Sequence, residues 1–325
     1  MAFFIFAENK GMSSTAFANA LSDNDINALA LVPKSDLHNH SMLGSRFDTL
    51  EHYLGRKLQR PPSRMQAFQH FEDYLNSIFK DLIPQKGFFT NMLKAAFQHA
   101  KNDGIKVLQL SIDSRFYYAF PQKEDELVET VEKIRQETAP GIHFIPQLGM
   151  DRTHNFDKIT LEANALMDTG YFGSIDLYGD ETYGDNKRFI PLFKKAKQNH
   201  MILCAHAGEY GTAESVREAI ELLELQQVQH GIGAATSPEV MNWIAKHNIQ
   251  LNVCPTSNVV LCRAESISKH PIRQLFDHGI KVTINTDDLL VFGNSVSEEY
   301  MDLYREGVFS AEELDQIRQN GLSFE

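Results

Sequence analysis

Cysteine is scarce: Cys204, Cys254 and Cys262 are the three in 325 residues, an odd number with no C-x-x-C spacing. A disulfide framework is therefore excluded, and a reducing cytoplasm is the expected compartment. Basic residues are in deficit too, 31 Lys and Arg against 43 Asp and Glu, for a formal net charge of −12. No lysine- or arginine-rich stripe offsets that charge locally, so the chain would repel a phosphate backbone and no nucleic-acid partner is expected. Long apolar runs are missing as well. The opening MAFFIFAENK carries no basic leader and is too short for a signal-peptide core or a span, so neither export nor a membrane is expected. No repeat, low-complexity tract or glycine-serine linker divides the chain, and nothing in it points to an obligate protein partner.

What is present is an ordinary globular composition, 42% apolar and 23% charged, able to bury a sizeable core. Short β-rich runs alternate with helical patterns from residue 34 to residue 289. The strands are expected at Lys34–His40, Ile105–Asp113, His143–Asp151, Ser174–Tyr178, Met201–His206, Val228–His230, Ile249–Cys254 and Lys281–Thr286. Eight strands in that rhythm predict an α/β fold, a (β/α)8 TIM-type barrel, forming a single domain over 1–325 with an N-terminal extension over 1–32. Between strands, Leu127, Val131 and Ile134, and likewise Val216, Ala219, Ile220 and Leu223, make apolar stripes at helical spacing. Ser237-Pro238 reads as an N-cap with proline at the first helical position, and Ser310-x-x-Glu313 as a capping box. The stretch from about 49 to 103 is too long for a βα connection, so a helical insertion is expected after the first strand. Its apolar face, Phe68, Phe71, Leu75, Ile78 and Leu82, is either a stripe packed on the barrel or a lid over the site.

Four clusters of chemistry-bearing residues fall at predicted strand ends, the catalytic face of such a barrel. His38 and His40 stand two apart on a strand, so both imidazoles point to one side. His206-Ala207-Gly208-Glu209 follows the fifth strand, His230-Gly231 the sixth, and Thr286-Asp287-Asp288 closes the eighth. Singly each is weak, since such residues are often core or surface features. Together, His38, His40, His206 and Asp287 offer three nitrogens and one oxygen from strands one, five and eight, a set suited to one zinc ion with a position left for water. Such a site favours hydrolysis, and His230, Glu209 and Asp288 remain for acid, base and positioning work.

In order, PKSDLHNH, HAGE, QHGIG, CPTSN and NTDD closely resemble the motifs of the adenosine deaminase family, over about residues 33 to 293. The resemblance implies zinc-dependent hydrolytic deamination of a 6-aminopurine: adenosine, a 5′-modified adenosine or adenine. His38, His40, His206 and Asp287 match the family's metal ligands, and Glu209 the acid that protonates ring N1. His230 matches the histidine that orients or deprotonates the water, Asp288 the aspartate at N7, and Gly179 the glycine whose N–H meets N3. Asp176 and Asp180 are both candidates for supporting carboxylates.

Three departures stand out. After His40 the family usually has leucine, then an acidic residue that holds the sugar 5′-hydroxyl, then glycine; here Met42 takes the acidic place, so an apolar or absent group is expected there. Leu289 rather than proline follows the aspartate pair. The sequence also stops at Asn320–Glu325, where family members usually continue through another helix. The weighed alternatives are a related amidohydrolase acting on a cyclic amide or ester, disfavoured because Gly173–Glu181 holds no bridging lysine, and a non-catalytic purine-binding member, disfavoured by the intact ligand set and Glu209. Cysteine-ligand zinc deaminases are excluded, for no pair of H-x-E and P-C-x-x-C exists here.

Overall fold

Strand-forming runs flanked by amphipathic helices leave a chain few ways to bury both faces of a parallel sheet, and closing the sheet on itself is one. In the computed structural model, which describes residues 2–80, 82–83, 87–120 and 122–323, eight parallel strands follow one another in sequence order. They are β1 (Lys34–His40), β2 (Ile105–Asp113), β3 (His143–Asp151), β4 (Ser174–Tyr178), β5 (Ile202–Ala207), β6 (Gln227–His230), β7 (Gln250–Val253) and β8 (Lys281–Ile284). The architecture is the expected (β/α)8 barrel. Met1, Asp81 and residues 84–86 of the insertion, Pro121, and Phe324 and Glu325 at the end lie outside the described residues. Among the described residues no helix is long and apolar enough to cross a membrane.

The first four strands have the expected bounds, and the later ones differ. β8 stops at Ile284, because Asp287 takes a left-handed φ of 58° that no strand accommodates. β7 stops at Val253, because Cys254 already caps the helix Pro255–Val260. The Asp287-Asp288 pair therefore stands beyond the eighth strand, not within it.

Closure between β1 and β8 relies on side chains more than on a ladder. A single parallel bridge joins Asn39 and Asp287, and the Asp287 N–H donates to the His38 carbonyl at 2.8 Å. Around it, the Leu37 N–H donates to Asn285 Oδ1 at 2.7 Å, and Thr286 donates through its N–H (3.2 Å) and its hydroxyl (2.6 Å) to Asp36. Burial pushes Asp36 up to about 6 although these donors, with the Asn39 amide, pull it down. This polar seam sets His38 and His40 directly beside Asp287.

Helices fill the connections as the stripes require. Leu127, Val131 and Ile134 are buried on Lys123–Thr138, and Val216, Ala219, Ile220 and Leu223 on Ala213–Leu223. Ser237 caps Pro238–Lys246, and Ser310 with Glu313 forms a complete capping box on Ala311–Leu322. That last helix lies so close to the barrel floor that a Cβ on Gly321 would sit 1.9 Å from Ser35 Oγ. Ahead of β1, the extension is helical over Ala2–Ser22 and Ile26–Leu31, and Phe17 meets Tyr300 edge-on at 5.3 Å.

Three helices, Phe47–Leu54, Phe68–Phe79 and Phe88–Asn102, occupy the insertion. Ile78 and Leu82 pack, with Phe71 and Leu75 alongside, in a cluster separate from the main core, against Leu43 after β1, Leu261 after β7, and Leu290 and Phe292 after β8. Those loops leave the strands at the end where the histidines lie, so the stripe packs at that end of the barrel. The Met65 N–H to Val260 carbonyl bond (2.8 Å) and the Arg263 guanidinium on the Gln66 carbonyl (3.0 Å) pin the cover down.

Candidate active site

Three imidazoles converge inside the barrel mouth. His38 Nδ1 lies 3.2 Å from the Asn252 carbonyl, which can only accept, so the ring proton sits on Nδ1 and Nε2 offers a lone pair. That Nε2 is buried without a hydrogen-bond partner, 3.4 Å from Asp287 Oδ1. His40 Nε2 lies 3.7 Å from the same oxygen. His206 Nε2, at the end of β5, is also buried without a hydrogen bond, 3.2 Å from Asp176 Oδ2 but out of bonding geometry. Donor atoms of His38, His40 and His206 all lie within 4.8 Å of one another. Asp287 Oδ2 accepts the Ser257 hydroxyl at 2.6 Å, which turns Oδ1 toward the histidines.

Electrostatics fits a cation here. Burial, then the neighbouring imidazoles, holds His206 well below the usual histidine range, and burial with His206 brings His40 down to about 4. Burial works against ionising Asp287, but His38, His230 and His40 outweigh it and hold the carboxyl well below its ordinary value. Buried ring nitrogens of His38 and His206 without hydrogen-bond partners, beside an ionised carboxylate, are what a divalent ion needs and what an apolar core would not tolerate. Cys254 belongs elsewhere: its Sγ is 3.3 Å from His38 Nδ1, the nitrogen pointing away from the cluster.

The acid-base groups sit around this centre. Glu209 Oε1 is buried without a hydrogen-bond partner, 3.5 Å from His230 Nε2. Burial first, then the Asp287, Glu181 and Asp288 carboxylates, push Glu209 well above the usual range. Burial and Asp287 do the same to Asp288, whose Oδ1 also lacks a partner. His230 ends β6 with φ 65°, and Asp287 with φ 58°; these left-handed turns at strand ends aim both side chains inward. Gly179 follows β4 at φ 88°, where a Cβ would meet Asp151 Oδ1 at 2.6 Å, so only glycine fits. Of the two supporting carboxylates left open by the sequence, Asp176 is the one beside the histidines; Asp180 instead accepts the Thr182 N–H and hydroxyl in its own turn. Met42 packs at the edge of the apolar cover with Phe71 and Leu75.

Sequence reasoning missed the residue that shapes the Glu209 loop. Glu181 accepts the N–H of Gly208 (2.6 Å), of Tyr210, and of Gly211 (2.8 Å), clasping the backbone on both sides of Glu209. Its position three residues past Tyr178 carries no signal, because backbone donors leave no trace in residue types. Glu181→Ala is expected to keep its metal and lower kcat roughly tenfold or more by letting the loop drift; an unchanged kcat, read beside metal analysis, would show the clasp to be dispensable. Ser257 and Asn258 were visible within CPTSN without a role, and His270, passed over as an isolated histidine, bonds to Asn258.

Barrel, convergent imidazoles and buried, unpartnered carboxyls together define the class: a metal-dependent hydrolase. A family model described as adenosine deaminase matches residues 33–324. A putative adenosine/adenine deaminase of Treponema pallidum is 30% identical over 278 residues, 86% of this chain and 93% of the relative. An adenine deaminase of Pseudomonas entomophila is 27% identical over 312 residues, 90% and 97% of the two chains. The crystal structure of an adenine deaminase from Arthrobacter aurescens superposes with a TM-score of 0.78 at 22% identity, over 90% of this chain and 94% of that one. The chain belongs to the adenosine deaminase family and is a hydrolytic purine deaminase.

Proposed function

We propose that the chain binds one zinc ion through His38, His40, His206 and Asp287 and deaminates a free 6-aminopurine, adenine or a 5′-modified adenosine ahead of adenosine. The observation that carries this reading is Glu209: a buried carboxyl with an oxygen left unpaired 3.5 Å from His230 and beside the imidazole cluster, whose surroundings push its pKa up. Three nitrogens and one carboxylate oxygen, with no thiolate, suit zinc, which when bound lowers the pKa of a water to about 7.

The remaining work falls to the chain's own groups. Glu209 delivers its proton to ring N1, which makes C6 electron-poor; as the water oxygen adds there, the Glu209 carboxylate so formed takes up one water proton, the other passes to the amino nitrogen, and ammonia leaves. Asp288, kept neutral, donates to N7, and the Gly179 N–H meets N3; together they fix the ring with C6 over the imidazoles. His230 directs the attacking oxygen. The apolar cover of Phe71, Leu75 and Ile78 excludes bulk water, which strengthens each of these contacts.

Substrate choice follows from Met42. An apolar thioether where a carboxylate would hold a sugar hydroxyl removes one polar contact, worth roughly 0.5–1.5 kcal/mol net. Met42→Asp is therefore expected to raise kcat/KM for adenosine relative to adenine by roughly 3- to 10-fold; a fixed ratio would take the sugar argument away. The reading as a whole is tested by ammonia release from adenosine, deoxyadenosine, 5′-methylthioadenosine, adenine and adenylate, with zinc-loaded and chelated protein. Zinc-dependent release from at least one member is expected, and silence across the panel from zinc-loaded protein would overturn it.

A further inference from the structure

Behind His230 runs a chain of buried hydrogen bonds whose direction is fixed at its far end. His270 Nδ1 faces the Ile272 N–H at 3.1 Å, and a backbone N–H can only donate, so Nδ1 must carry the lone pair. His270 is buried, which pushes it down to about 3 and leaves one ring proton, on Nε2. That proton points at Asn258 Oδ1, 3.2 Å away. The orientation of the Asn258 amide follows: with its oxygen accepting from His270, its NH2 faces His230 Nδ1 at 3.3 Å. Flipping the amide would set two donors face to face at His270. A ring nitrogen that meets an amide N–H must accept, so His230 Nδ1 carries no proton and the ring hydrogen lies on Nε2. This is the nitrogen that points to Glu209 Oε1 (3.5 Å) and Asp287 Oδ2 (3.8 Å).

We propose that Asn258 and His270 are positioning residues that lock His230 in its Nε2–H tautomer, so that His230 enters the reaction as a hydrogen-bond donor to the oxygen added at the ring carbon and not as the base that strips the water. The lock deepens the deaminase reading and rests on it only for the substrate oxygen; the tautomer belongs to the free protein. No proton passes to or from His230 in this role: its N–H bond persists and holds the added oxygen over the ring carbon, while the water protons go to the carboxylate left on Glu209 and to the departing amine. It also explains why His270 is buried behind the site, where it touches no reacting group. Asn258 and His270 lie 28 and 40 residues beyond His230 in the chain, so no motif spacing announces the link.

The test uses full-length protein labelled with 15N in histidine. Two-bond ring correlations show which nitrogen bears hydrogen, and the His230 signals are assigned by their loss in His230→Gln. In metal-free wild type, Nε2–H is expected at His230; Nδ1–H or a mixture would overturn the lock, whatever the substrate proves to be. Asn258→Asp then supplies a carboxylate that accepts from Nδ1 and frees the Nε2 lone pair. For a donor, kcat falls roughly 100-fold with KM and zinc content held. For a base, the same change sharpens it, and a kcat that holds or rises would overturn the role while leaving the deaminase assignment intact. Should Asn258→Asp not fold, His270→Leu releases the Asn258 amide, and both tautomers of His230 should then appear; a single unchanged Nε2–H would show that His270 sets nothing.

Discussion

Glu209→Gln will keep its metal and lose roughly 100-fold or more in kcat. The substitution preserves shape and removes only the transferable proton. Glu209 Oε1 has no hydrogen-bond partner, and the zinc donors proposed above are His38, His40, His206 and Asp287. Fold stability should hold, because burial and the Asp287, Glu181 and Asp288 carboxylates all disfavour the charged form of Glu209, and a neutral amide meets none of that opposition. The measurement is steady-state ammonia release beside metal analysis and thermal melting of the same preparation. An unchanged kcat would remove Glu209 as the acid and shift attention to Asp288, the other buried carboxyl that burial and Asp287 push well above the usual range.

How far the sequence anticipates this arrangement depends on the distance over which each feature is set. β2 to β4 are legible to the residue because their apolar runs end in turns encoded locally, whereas β1 has Leu37 as its single apolar residue and is legible from its alternating histidines. β6 to β8 are four residues each; β6 ends at His230 as expected and starts one residue earlier, while the ends of β7 and β8 are decided by the helix starting after Cys254 and by the left-handed turn at Asp287, which propensity does not see. Alternation puts His38 and His40 on one face of one strand, and adjacency pairs Asp287 with Asp288. That β1 and β8 are stitched through Asp36, Asn39 and Asn285 depends on contacts across about 250 residues. The stripe on Phe68–Phe79 illustrates the limit: helical period reveals an apolar face, but whether it meets barrel or loops is decided by Leu43, Leu261 and Phe292, which arrive from three other connections. Glu181 and His270 act through backbone N–H groups, and a backbone donor has no letter in the sequence.

Asp287→Ala is the change expected to cost most in metal. Asp287 supplies the one carboxylate among four expected donors, its Oδ1 lying 3.4 Å and 3.7 Å from His38 and His40 Nε2. Removing even a residue that only supports a ligand costs roughly 10- to 100-fold in metal affinity, so loss of the charged ligand itself should exceed that range. Two further consequences separate this variant from a simple dilution of metal. Ser257, fully buried, loses the acceptor of its hydroxyl, an unsatisfied group worth roughly 1–3 kcal/mol, so the metal-free protein should melt earlier than metal-free wild type. Glu209 and Asp288 both lose the neighbouring negative charge that helps keep them protonated. Saturating zinc should therefore refill part of the site without restoring kcat. Zinc content after dialysis against buffered free metal, the melting temperature of the stripped protein, and kcat at saturating zinc read the three effects separately. Full occupancy with normal turnover would strike Asp287 from the ligand set and leave the three imidazoles to hold the ion without it.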